Sequence, residues 1–217
     1  MKTLAKRLFN LVIGTFLFAL GVVVSIMANI GYAPWEVYHV GLALTTGISL
    51  GVATIIVGGI IVLIVTLCGE KIGLGTIFNM ILTGVFIDLV LALDLIPKAT
   101  NLPVGVAMLL AGQFALALGS YFYIKSAFGA GPRDNLMVVV NRKTKLPVGV
   151  CRSLIELSAT IGGWLLGGMV GIGTIISVVV IGFFIQLVFA MFKFDAAAVE
   201  HETLTETYRA FKALVNR

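Results

Sequence analysis

Arg133, Asp134 and Asn135 stand side by side after Gly129-Ala130-Gly131-Pro132, in a chain with few charges elsewhere. A guanidinium, a carboxylate and an amide at adjacent positions can bind an anionic group or gate its passage. An earlier stretch, Gly31-Tyr32-Ala33-Pro34-Trp35-Glu36, carries the same glycine, proline and acid skeleton, and Tyr38 and His39 follow it. Proline suits a first helical turn, because its missing N–H has no partner there in any case. Glu36 and Asp134 then fall in that turn, where a carboxylate complements the helix dipole. The glycines ahead of each proline let the chain reverse tightly. One reading makes the two stretches ordinary helix starts at a membrane interface. The other makes them the two halves of one binding site, with Trp35, Glu36, Tyr38 and His39 opposite Arg133, Asp134 and Asn135.

Other polar groups sit inside apolar runs. Asp88 lies within Val85–Asp94, where a carboxylate is expensive and is by default a functional candidate, although an interfacial position near the outer helix end also fits. Arg152 and Glu156 are four apart and share a helix face, so they neutralise each other or serve a site. Glu156 and Asp88 are the candidates for coupling to protons. Asn79 and Ser177 read as donors and acceptors of interhelical hydrogen bonds, and the many glycines as points of close helix approach. Cys68 and Cys151 lie in apolar surroundings with no metal-ligand spacing, so they read as packing residues.

The elements that must position these groups are membrane helices. Only 12% of the 217 residues are charged, against about 25% in soluble domains. Apolar runs occupy Leu8–Met27, Leu50–Cys68, Leu74–Leu93, Val104–Ile124, Val148–Leu166 and Ile172–Phe192. Each is near the ~20 residues that cross a hydrocarbon core. The first run is longer than a signal-peptide core and is expected to be retained. The basic residues flank the runs, which fits orientation signals and not nucleic-acid binding.

The two prolines are 132 − 34 = 98 residues apart, and the whole chain repeats at that offset without a gap. Gly14 meets Gly112, Gly21 meets Gly119, Gly51-Val52 meets Gly149-Val150, and Gly73–Ile77 meets Gly171–Ile175. Each repeat reads as a long helix, a Gly/Pro loop, a short helix (Trp35–Gly47 or Arg133–Thr144), then two long helices. A helix of about 12 residues rises about 18 Å, too little to cross alone. Three crossings per half is odd, so the halves are expected to be inverted. With the N-terminus inside, Lys98 is then the one residue outside among 15 Lys and Arg, as the positive-inside rule favours. If the short helices crossed, the halves would be parallel, and Lys71, Lys125 and Arg133 would fall outside. The tail from Asp195 holds a capping-box pattern at Thr203 and Glu206. Leu204, Tyr208, Phe211 and Val215 follow at helical spacing, which reads as an amphipathic helix.

The N-terminal helix with its Gly-x-x-Pro-Trp loop, the Gly129–Met137 block "GAGPRDNLM" and the paired Gly-x-Gly-Thr turns resemble the bacterial YczE/YyaS/YitT-type integral membrane proteins. The resemblance runs to about Phe194. It implies a bacterial inner-membrane location and singles out Pro34, Trp35, Glu36, Gly129, Gly131, Pro132, Arg133 and Asp134. It supplies no substrate and no catalytic residues.

The expectation is an all-α polytopic membrane protein of six spans. Residues 1–97 and 98–194 form two inverted three-span repeats, each with a short re-entrant helix, and 195–217 form a cytoplasmic tail helix. Both termini are expected in the cytoplasm. The expected function is a small-solute permease or secondary carrier for an unknown, anionic-type solute. Its rival is an accessory membrane protein docking a cytosolic partner through its basic inner loop and tail. No nucleophile–base pair, metal-ligand spacing or P-loop is visible. Neither catalysis nor a cofactor is therefore expected; homo-oligomers remain open.

Overall fold

The computed structural model describes residues 2–196, 198, 199 and 202. Among these, all regular structure is helical: α1 (Lys2–Met27), α2 (Pro34–Thr46), α3 (Leu50–Leu67), α4 (Leu74–Ala92), α5 (Leu102–Lys125), α6 (Pro132–Thr144), α7 (Val148–Leu165) and α8 (Ile172–Met191). The predicted amphipathic tail helix lies outside the described residues. The short helices begin on their prolines, one residue earlier than the sequence suggests, and carry Glu36 and Asp134 in their first turns. Both stop at a left-handed residue, Gly47 (φ 75°) and Lys145 (φ 60°). Ser49 and Asn101 cap α3 and α5 by accepting from the N–H groups of Val52 and Val104, which satisfies donors that a helix start leaves open.

The 98-residue offset reappears in the helix starts: 132 − 34, 148 − 50 and 172 − 74. At the centre α1 and α5 cross in antiparallel fashion. A Cβ on Gly14 would stand 2.9 Å from the Gly119 carbonyl oxygen, and one on Gly21 would stand 2.6 Å from that of Gly112. Each glycine is the other pair's repeat partner, so the two contacts are one contact seen from either half. α4 packs on α1, α8 on α5, and the short helices exchange sides: α2 lies on α7 and α6 on α3.

The Gly-x-Gly-Thr turns hold this exchange together. Gly75 N–H, at the start of α4, donates to the Phe128 carbonyl at 2.8 Å, and Gly173 N–H, at the start of α8, donates to that of Ile30 at 2.8 Å. The Thr76 hydroxyl also donates to the Ala130 carbonyl at 2.6 Å. Each half's Gly/Pro loop is therefore clasped by the other half's turn. Gly31 (φ 110°) and Gly129 (φ 138°) sit at these clasps with backbone pressed on Gly171 and Gly73. Left-handed φ and close approach together demand glycine there.

Large apolar side chains such as Leu67, Trp164, Val179 and Phe183 are exposed, while Thr15, Ser25, Thr76 and Gln113 are buried. An apolar exterior around a partly polar interior is what a hydrocarbon solvent favours. Among the described residues, five helices are long and apolar enough to cross a membrane: α1, α3, α4, α5 and α8. The expected sixth, α7, has 18 residues but carries Arg152 and Glu156, which lower its hydropathy, and is not among the five.

Candidate functional site

The first turns of α2 and α6 open onto one cavity of about 350 Å³, to which all eight helices contribute side chains. That volume lies within the range of small-molecule sites, about 300–1,000 Å³. Trp35, Glu36, His39, Arg133, Asp134 and Glu156 all line it. The Arg133 guanidinium faces Glu36 at 3.6 Å and lies over the Trp35 ring, 4.8 Å from its centre. The Glu36 side chain is only 7% exposed, whereas that of Arg133 is 31% exposed. At 3.6 Å the pair attracts without a short hydrogen bond, and the partly exposed cation reaches the cavity. His39 is buried, with Nδ1 3.4 Å from the Thr54 hydroxyl. Arg152 Nε donates to Glu156 Oε1 at 2.9 Å, adding a second ion pair on the cavity wall.

Asn135 is buried beside this group but does not line the cavity, and its Nδ2 has no hydrogen-bond partner. Asp88 lies elsewhere. Its Oδ2 accepts from the Ser49 hydroxyl at 2.5 Å and its Oδ1 from Gly51 N–H at 2.7 Å. It anchors the N-terminus of α3 to α4, which an anion at a positive helix end does well. Asp88→Ala is expected to lower stability by about 2 kcal/mol, the order of two hydrogen bonds to a charged group. Thermal unfolding in detergent would show it; an unchanged melting temperature would contradict this anchoring role.

The chain belongs to the family described as "Family of unknown function (DUF6198)", which matches residues 5–190. This membership is plain. Among its relatives, the "Uncharacterized membrane protein YczE" of Bacillus subtilis is 31% identical over 80% of this chain and 80% of its own. An "Uncharacterized protein" of Haemophilus influenzae is also 31% identical, over 85% and 82%. The "Uncharacterized protein YyaS" of Bacillus subtilis is 25% identical over 76% and 84%. The resemblance to YczE and YyaS is thereby shown. No solved structure matches the chain.

This DUF6198 chain also lines its cavity with groups that the motifs do not announce. Gln113, buried midway along α5, donates to the Ser177 hydroxyl at 3.3 Å. Asn79 and Ser177, repeat equivalents (79 + 98), both face the cavity. Thr83 lines it with a buried hydroxyl that has no partner. Tyr123 donates to the Gly129 carbonyl at 2.8 Å and so braces the loop ahead of α6. An isolated Gln inside the run "AGQFALALG" is the one sequence signal that would have found Gln113.

Proposed function

We propose that this membrane protein is a small-solute permease or secondary carrier whose solute sits in the central cavity, against the first turns of α2 and α6. One observation carries the reading: two proline-started helices, from corresponding places in the two halves, present Arg133, Glu36 and Asp134 to one cavity of about 350 Å³. Helix starts of this kind at membrane depth are tolerated where they line a cavity, and paired broken segments of a repeat mark transporter sites. Arg133 favours a solute with an anionic group, while Trp35 and the apolar wall take the rest of it. The chemistry proposed is binding and passage rather than catalysis, with no bound cofactor. Glu156, beside Arg152 in the cavity, is the group best placed to couple passage to a proton.

The proposed topology has six crossings, α7 included, in two inverted halves with α2 and α6 re-entrant. The antiparallel crossing of α1 and α5 supports it. Were α2 to cross, α5 would run parallel to α1. Arg7, near the start of α1, also meets the end of α5 and Glu202: it donates to the Ser126 carbonyl at 2.8 Å and to Glu202 Oε1 at 2.6 Å. With that basic end cytoplasmic, in a bacterial inner membrane, the α4–α5 loop lies outside. A topology reporter fused near Thr100 is expected to report the outside, and a cytoplasmic signal would refute this arrangement.

The binding test is a thermal-stability screen of the purified protein against small metabolites and anions. A ligand of the native state raises stability with the logarithm of its concentration over Kd. Carboxylates or phosphates are expected to stabilise the native protein and to lose that effect in Arg133→Ala. Equal stabilisation of both would place the site elsewhere. A protein that no solute stabilises, and that instead captures a cytosolic partner, is the accessory protein.

A further inference from the structure

The two halves match helix for helix except at one seam. In the first half α3 packs closely on α4, while the equivalent pair, α7 and α8, scarcely touch. The glycines show the difference atom by atom. A Cβ on Gly84 would stand 2.5 Å from the Gly51 carbonyl oxygen, and one on Gly51 would collide with the Gly84 carbonyl. Their repeat equivalents are Gly149 and Gly182 (51 + 98 and 84 + 98). A Cβ on either of these would have no atom within 4 Å, and both are exposed. Gly149 lies in the first turn of α7 and Gly182 midway along α8, both non-left-handed helical positions where an alanine would favour the helix. Neither helix geometry nor present packing therefore accounts for these glycines, whereas a closed α7–α8 pair accounts for both.

Building on the carrier reading, we propose that α7 closes on α8, bringing Gly149 against Gly182 as Gly51 stands against Gly84, and that this seam is the gate of the cavity. The seam is a wall of that cavity: Ile155 and Glu156 line it from α7, and Ser177, Ile181 and Ile185 from α8. Closing it joins the two rows and narrows the space between them.

The latch chemistry makes this closure the reversible one. In the first half a carboxylate, Asp88, grips both Gly51 N–H and the Ser49 hydroxyl. At the matching positions stand Gln186, Gly149 and Pro147. Gly149 N–H is one of the donors that the start of α7 leaves without an intrahelical acceptor, and the Gln186 side-chain carbonyl can accept from it on closure. Pro147 offers no hydroxyl, and a neutral amide accepts more weakly than a carboxylate. The first half is clamped, and the second is built to open and shut.

The test is a cross-link at the seam. Ile55 of α3 packs on Gly84, its side chain 2.5 Å from where a Cβ on that glycine would stand, and its repeat equivalent is Ser153, exposed on α7. Ser153→Cys with Gly182→Cys, in the full chain with Cys68→Ala and Cys151→Ala, is therefore expected to form a disulfide within one chain under mild oxidation, since closure brings two Cβ atoms to about 4 Å. Adding Gly149→Leu is expected to cut the cross-linking yield about fivefold or more by wedging the seam, with the melting temperature unchanged. Absence of an intrachain cross-link in protein that melts normally overturns the proposal. So does cross-linking only between copies, which would make this face a subunit interface. Because the cross-link reads helix closure and not solute, a seam that closes in a protein with no solute binding would refute the carrier reading alone.

Discussion

Arg133→Ala is expected to abolish solute binding and to lower stability by about 2–3 kcal/mol. The stability loss comes from Glu36. Its side chain is 7% exposed, and removing the cation leaves a buried carboxylate without its partner, which costs more than the pair itself contributes. The 3.6 Å separation and the exposure of Arg133 to the cavity keep the figure below that of a fully enclosed pair. Trp35 also loses the guanidinium over its ring. The double variant Glu36→Gln with Arg133→Met separates structure from function. With both charges gone, stability is expected to return to within about 1 kcal/mol of the native protein, while solute binding stays lost. If the double variant recovers solute binding as well, Arg133 is not the anion-recognising group.

Gly21→Leu is expected to be the most disruptive single change outside the cavity, costing about 3 kcal/mol or more. A Cβ there would stand 2.6 Å from the Gly112 carbonyl oxygen and 2.7 Å from Leu116 N, so backbone would have to move along the central crossing. Because Gly21 and Gly112 are one side of a two-fold contact, the displacement also strains Gly14 against Gly119. Gly182→Leu, a substitution of the same size where no atom lies within 4 Å of the new Cβ, is expected to change stability by less than about 0.5 kcal/mol. Thermal unfolding in one detergent compares them directly. Equal losses would contradict the central placing of α1 and α5.

The repeat and the short helices were legible because they rest on local signals. Matching glycines, a matching proline and an acidic first turn survive in the sequence whatever the tertiary packing. The convergence of Trp35, Glu36, His39, Arg133 and Asp134 on one cavity involves two loops that the sequence already marks as equivalent by their 98-residue offset. What the repeat could not reveal is which residues touch across it. An offset of 98 pairs Gly31 with Gly129, yet in the fold Gly31 meets Gly171 and Gly129 meets Gly73. Asp88 was equally opaque: its partners, Ser49 and Gly51, lie 39 and 37 residues away, and nothing local distinguishes a helix anchor from a proton site. The open α7–α8 seam was invisible for a deeper reason. The glycines are repeated in both halves, yet in the fold one pair is closed and the other is not.

The most direct test of the carrier reading needs no solute. Asn79, on the cavity wall, is replaced by cysteine in the full chain with Cys68→Ala and Cys151→Ala. A membrane-impermeant maleimide is then applied separately to right-side-out and inside-out vesicles. A carrier exposes its central site to each side in turn, so labelling is expected from both. Labelling from one side only, or from neither in protein that remains folded, would contradict the proposal that solute passes through this cavity.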